Sequence, residues 1–131
     1  MILIDTSGWV EFLRDTSSSV CQRVDELLAE GFVVCEPVRM EVLAGARDER
    51  HLSALRRLLA RGTLITTEST DYEEAASLYR VCRRNGAAIR KMIDCLIASI
   101  AIRSGTPLLH ADSDFDVLAR HTQLEIDPGR S

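Results

Sequence analysis

Four short apolar runs separated by longer stretches of helical period restrict the fold of this chain more than any other feature. The runs are residues 2–4, 32–35 and 63–66, and one that begins at 108–109. Each is too short for a helix, and the first ends in Asp5, Thr6 and Ser7, as a buried parallel strand ends before a helix cap. Between them Val20, Val24, Leu27 and Leu28 recur at helical spacing, with Gly31 as a stop. Pro37 suits the first turn of a helix carrying Val38, Met40, Val42 and Leu43 up to Gly45. Residues 48–61 read as an amphipathic helix and 70–85 as another, ended by Gly86. "MIDCLIASIAIRSG" is apolar almost all round, as a core helix is, and a further helix is expected over 114–121. A short edge strand at 124–126 and a frayed tail over 127–131 complete the expectation. Strands alternating with helices predict an α/β layered fold around a central, mainly parallel sheet of four to five strands.

With 131 residues, 46% of them hydrophobic, the chain is expected to form one domain, residues 1–131, around one core. The opening "MILIDTSGW" has neither a basic n-region nor a long apolar run, and no stretch reaches membrane-span length. A soluble, cytoplasmic protein with no membrane association is expected. Cys21, Cys35, Cys82 and Cys95 lie far apart without a C-x-x-C pair, and read as reduced thiols rather than as a zinc site or disulfide framework. A net charge of −4 argues against holding nucleic acid by overall positive charge, so any such partner must be held locally.

Near the end, "PLLHADSDFDVLARH" crowds Asp112, Asp114 and Asp116 into five residues. Carboxylates a few ångströms apart in a partly buried site repel one another by several kcal/mol unless a proton or cation intervenes. Helix capping by Asp112 or Ser113, with Asp116 in the first turn, explains part of the triplet. A calcium loop does not, because Val117 and Gln123 stand where its glycine and bidentate glutamate belong. Asp5 ends the first strand, and ligands bind at the carboxyl ends of strands in open parallel sheets. Asp94 and Ser99 interrupt the otherwise apolar stretch from 92 to 102. A charged carboxylate there is costly unless it is paired, bound to metal or placed against the helix dipole. Glu41, between Met40 and Val42, is by itself an ordinary helix glutamate.

Taken together, the strand-ending "ILIDTS", the "PVRMEVLAGA" and "IDCLIASIA" helices and "LLHADSDFDVLA" follow a family pattern in order and spacing. Over essentially its whole length the chain resembles the PIN-domain ribonucleases, specifically the VapC-type toxins of bacterial toxin–antitoxin pairs. The resemblance implies a PIN-like α/β/α sandwich. It matches Asp5, Glu41, Asp94 and Asp112 to the family's acidic catalytic quartet, and assigns metal binding to Asp5, Asp94 and Asp112 with the further acid Asp114. Asp116 lies outside that set. Thr6 matches a small hydroxyl residue that would orient the first carboxylate or a water at the site. His110 stands where many relatives carry Thr or Ser, and as a supporting residue it either meets a phosphate or a water or simply packs at the strand end. All-oxygen ligands select Mg²⁺ or Mn²⁺, which suit in-line hydrolysis of a phosphodiester with 5′-phosphate and 3′-hydroxyl products. The same resemblance implies an RNA substrate such as tRNA or rRNA, a cognate VapB-like antitoxin, a homodimer, and a heterotetramer or larger assembly with that antitoxin.

"RVCRRNGAAIRK" carries Arg80, Arg83, Arg84, Arg90 and Lys91 without an acid and leads into the Asp94 helix. It is expected to form an RNA-binding rim beside the acidic pocket, against the alternative of a solvated helix face. Arg47, Arg50, Arg56, Arg57 and Arg61 are less telling, since Asp48 and Glu49 interleave them. Trp9 and Phe12 read as core or partner contacts rather than as stacking platforms for bases. A Mg²⁺-binding phosphoacceptor or phosphatase-type domain would need a D-x-D after the first strand or a lysine after a late one. Here the first strand gives "DTS", and Lys91, the chain's lysine, precedes a helix. A non-catalytic RNA-binding module remains the other alternative.

Overall fold

The structure, a computed structural model, describes residues 1–129. In chain order the elements are β1 (Leu3–Ile4), α1 (Thr6–Leu13), α2 (Ser19–Glu30), β2 (Val33–Cys35), α3 (Glu36–Ala44) and α4 (Glu49–Leu59). There follow β3 (Thr63–Ile65), α5 (Ser69–Arg84), α6 (Met92–Ser104), β4 (Leu108–Leu109) and α7 (Ser113–His121). Several helix starts are written locally. Ser18 accepts from the Cys21 N–H at the head of α2, Asp48 from the His51 N–H at the head of α4, and Glu68 and Asp71 cap α5 reciprocally. At the end of α6, Gly105 takes the left-handed conformation, φ 64°, that a glycine adopts without a Cβ clash.

The sheet is parallel throughout, in the order β3-β2-β1-β4. Leu3 pairs with Val33 on one side and with Leu108 on the other. The chain therefore winds outward from β1 through β2 to β3, then returns to the opposite side of β1. With right-handed crossovers, this reversal puts the two helix groups on opposite faces. One group packs α1 against α2 and α3, with α4 on α3, and the other packs α5, α6 and α7 together. The predicted α/β/α arrangement around a mainly parallel sheet is thus present. The fifth strand expected at 124–126 is reduced to one parallel bridge, Leu108 to Ile126.

The expected fraying of 127–131 needs correcting at its first residue. The Asp127 N–H donates to the Leu108 carbonyl at 2.8 Å, and its carboxylate accepts from Arg23 Nε at 3.0 Å. A backbone bond and an ion pair hold the segment against β4, while Arg130 and Ser131 lie outside the described residues.

Burial follows the pattern read from the sequence except at the edge strand β3, where Thr63 and Leu64 are exposed. β1, β2 and β4 are buried, and α6 buries Ile97, Ala98, Ser99, Ile100 and Ala101 in succession. Trp9 sits edge-on to Phe12 and Phe32, with ring centroids 6.3 and 5.3 Å apart, so it is a core residue. Gly62 is needed where the chain enters β3, because a Cβ there would collide with the Phe32 ring. All four cysteines are free and buried, as reduced thiols should be. Asp71, buried between α5 and α6, is fully paired. It accepts from Arg103 Nε at 2.8 Å and Nη2 at 2.9 Å, and from the Glu68 N–H at 2.8 Å. No helix among the described residues is long and apolar enough to cross a membrane.

Candidate active site

The reversal of winding leaves a crevice where the carboxyl ends of β1 and β4 lie side by side, the place where open parallel sheets bind ligands. The Asp5 N–H donates to the Leu109 carbonyl at 2.9 Å, fixing that proximity. Asp5 is buried, at 3% exposure, and caps α1 by accepting from the Ser7 N–H at 2.9 Å and the Ser7 hydroxyl at 2.6 Å. The same hydroxyl accepts from the Ala111 N–H at 2.9 Å. Ser7 therefore ties the first acid to the segment that delivers Asp112. Sequence reasoning missed it, although a hydroxyl two residues past a strand-ending aspartate is a capping signal. Thr6, expected to orient Asp5 or a water, instead donates to Glu41 Oε1 at 2.7 Å and so positions the glutamate on α3. Burial raises the Asp5 carboxyl above its ordinary value, and the neighbouring Glu41 adds to this against the bonds from Ser7 and Thr6.

Asp94, in the first turn of α6, and Asp112 and Asp114, at the head of α7, each place an oxygen within 4.8 Å of the others. Asp112 caps α7 by accepting from the Asp114 N–H at 3.0 Å. Burial raises the Asp112 carboxyl, but that bond together with Lys91 and Arg90 outweighs it and holds the group below its ordinary value. Asp94 differs: its Oδ2 is buried and has no hydrogen-bond donor. Burial pushes its carboxyl up to about 7, with Asp5, Asp112 and Asp114 adding to the effect and Lys91 opposing it. A cleft of 310 Å³ joins Asp94 to Asp5, Thr6, Ser7, Glu41 and Lys91. Asp5, Glu41 and Asp94 of the expected quartet thus line one cleft, and Asp112 joins them through its grouping with Asp94 and Asp114. Converging oxygens of three carboxylates, together with a buried Asp94 oxygen that has no donor, fit a hard divalent cation, whose ligands are oxygens.

His110 does not face the cleft. Its Nδ1 accepts from the Asp112 N–H at 3.1 Å, its Nε2 lies 3.2 Å from Asp116 Oδ1, and its ring packs on Phe115. With both nitrogens engaged, the imidazole supports the chain that carries Asp112, and Asp116 supports the imidazole.

The basic stretch divides. Arg80, Arg83 and Arg84 project from α5 into solvent, with Arg83 over the Tyr79 ring at 5.6 Å. Arg90 and Lys91 instead lie on the acids. Arg90 Nε is 3.3 Å from both Asp114 oxygens, and its Nη2 is 3.1 Å from Asp112 Oδ1. Lys91 Nζ is 3.3 Å from Asp112 Oδ2 and 3.9 Å from Asp94 Oδ2.

A second groove, of 420 Å³, adjoins the acid cleft through Thr6, Val10 and Glu41. Trp9, Leu13, Val42 and Leu55 give it an apolar floor, and Arg14 and Arg47 a basic margin.

The PIN-domain family model matches residues 2–121. The chain is 45% identical over 129 residues to the ribonuclease VapC11 of Mycobacterium tuberculosis, covering 95% of this chain and 96% of that protein. It is 30% identical over 122 residues to ribonuclease VapC51 of the same organism, covering 92% and 86%. In fold it is similar to a chain of VapBC2 from Rickettsia felis, solved bound to a promoter DNA fragment. The TM-score is 0.77 at 22% identity, over 97% of this chain and 98% of that one.

Proposed function

The chain belongs to the PIN-domain family, among the VapC ribonucleases, and from that premise we propose that it is a Mg²⁺-dependent endoribonuclease toxin restrained by a cognate antitoxin. On this reading residues 1–131 act as a single nuclease domain in the cytoplasm. The observation that carries the reading is the convergence of Asp94, Asp112 and Asp114, with a buried Asp94 oxygen that no donor satisfies. Asp94, Asp112 and Asp114 would hold the ion, with Asp5 lining the same cleft as Asp94. When bound, Mg²⁺ or Mn²⁺ polarises a phosphate oxygen and eases ionisation of water.

The chain's own residues do the rest. Ser7 fixes the Asp5 carboxylate, and Thr6 fixes Glu41, so two further acids face the cleft in set orientations. Such carboxylates can align a water with the scissile phosphodiester and take its proton. On this reading the substrate is structured RNA such as tRNA or rRNA, whose looped regions leave nucleotides unstacked.

The adjoining groove supports the antitoxin part of the reading. Its apolar floor and basic margin fit an amphipathic acidic helix from a VapB-like protein, whose extension can reach the acids through the shared wall at Glu41. A toxin homodimer carrying two antitoxins is the expected assembly. Induced expression without antitoxin, followed by sequencing of RNA 5′-phosphate ends, is expected to show a few cleavage sites in structured RNA that vanish in Asp94→Asn. Identical end profiles for wild type and variant would overturn the nuclease reading.

A further inference from the structure

The positions of Arg90 and Lys91 exceed what a rim for RNA requires. Between them the two cations reach all three carboxylates of the ion cluster. Arg90 spans Asp114 and Asp112, and Lys91 spans Asp112 and Asp94. Both oxygens of Asp112 and both of Asp114 are engaged in this way. Mg²⁺ binds oxygens at roughly 2.0–2.1 Å and would draw its ligands from these same carboxylates. Two monovalent cations carry the charge of one divalent ion, so exchanging them for it leaves the net charge of the cluster unchanged.

The mobile partners in this contact are the cations. The Arg90 and Lys91 side chains are 68% and 53% exposed, whereas those of Asp94, Asp112 and Asp114 are 3%, 12% and 7% exposed. The acids are fixed by the heads of α6 and α7. The loop is fixed as well, because Ile89 is buried and the Arg90 backbone N–H donates to Asp114 Oδ2 at 3.2 Å. Release therefore needs only new side-chain rotamers, a small rearrangement.

We propose that Arg90 and Lys91 are an internal latch that takes the place of the divalent ion on Asp94, Asp112 and Asp114 and must swing out before the ion settles. The proposal rests on the reading of these acids as ion ligands. Once released, the two side chains stand beside the crevice as free cations, placed to meet the phosphates that flank the scissile bond. The same residues thus hold the acids in metal-free protein and the RNA in metal-bound protein, as positioning residues.

The test uses Mn²⁺ titrations followed by electron paramagnetic resonance on the full chain. It compares wild type, Arg90→Gln/Lys91→Gln, and Arg83→Gln/Arg84→Gln, which removes equal charge without touching the acids. A latch imposes a conformational tax on affinity, so its removal is expected to tighten Mn²⁺ binding by about tenfold or more, and the Arg83/Arg84 control by less than about twofold. In ¹⁵N spectra of wild type, the Arg90 Nε–H signal is expected to shift as Mg²⁺ saturates the site. Equal gains in both double variants, or an unmoved Arg90 signal at saturation, would overturn the latch while leaving the ion site standing. If Asp94→Asn binds Mn²⁺ as wild type does, or wild type binds none, the ion-site reading and the latch fail together.

Discussion

Asp71 and Asp94 are the same residue type, each about 2% exposed, on helices packed against one another, and they lead opposite chemical lives. Asp71 has each oxygen met by the Arg103 fork, with the Glu68 N–H as a further donor. Hydrogen bonding to Arg103 holds its carboxyl below the ordinary value. Asp94 keeps a buried oxygen that no donor satisfies, and its carboxyl is pushed up to about 7 by burial and by the acids around it. Burial of a carboxylate therefore does not mark a site. What sets Asp94 apart is an unfilled acceptor, which Asp71 lacks.

The sharpest way to break this contrast is through catalysis. Asp94→Asn is expected to lower the rate of RNA cleavage by on the order of 10³-fold with the circular dichroism spectrum unchanged, while Asp71→Asn stays within about twofold per folded molecule. Comparable losses in initial rate from both would erase the distinction. Stability should rank the pair the other way. Asp71→Asn is expected to cost about 2–4 kcal/mol in urea unfolding, the lower end reflecting partial solvent access to Arg103. In EDTA near neutral pH, Asp94→Asn should unfold at or above the wild-type midpoint, because it relieves repulsion.

Ser7 is a finer probe, since it belongs to the crevice without being an acid. Ser7→Ala is expected to reduce cleavage by about 10–100-fold, as loss of a residue that orients a ligand does, with Ser7→Thr recovering part of it. Activity equal to wild type would detach Asp5 from the machinery.

The gentlest test is the dependence of metal-free stability on pH, where the two aspartates have opposite signs. The Asp94 carboxyl is raised by burial, with Asp5, Asp112 and Asp114 adding to it and Lys91 opposing. Its contribution is therefore full below the unfolded value of about 4 and is lost as pH climbs to about 7. That of Asp71 is lowered, so its contribution holds above about 4 and is lost as pH falls further. Urea midpoints across pH in EDTA should show Asp94→Asn flattening the first loss and Asp71→Asn the second. Unaltered slopes in both variants would mean that neither group titrates as described.

The crevice was more legible in the sequence than the paired aspartate. Asp5, Asp94 and Asp112 announce themselves because each interrupts or ends an apolar run, and helix caps such as Asp48 and Ser18 are local signals. Pairings across the chain carry no local signal. Asp71 and Arg103 are 32 residues apart, and nothing near either residue names the other. For the same reason the basic stretch read as one rim, although the turn at Gly86 sends Arg90 and Lys91 onto the acids and leaves Arg80, Arg83 and Arg84 outside. Asp127 looked like tail because its partners, Arg23 and Leu108, lie in other elements. Acids that end strands or interrupt apolar runs were readable, and residues whose role is set by a distant neighbour, Ser7 and Thr6 among them, were not.

The bond between Ser7 and Ala111 joins positions 104 residues apart, and the parallel pairing of β1 with β4 spans a similar separation. Contacts that close so large a loop form late, after the chain entropy of closing it has been met. During synthesis from the amino terminus, Asp5, Glu41 and Asp94 all emerge before the segment that brings them into one crevice. A ribosome carrying a half-made chain therefore carries scattered acids and no assembled crevice. On the proposed nuclease reading, the ribosome that makes the chain meets no assembled site until the last strand has been translated.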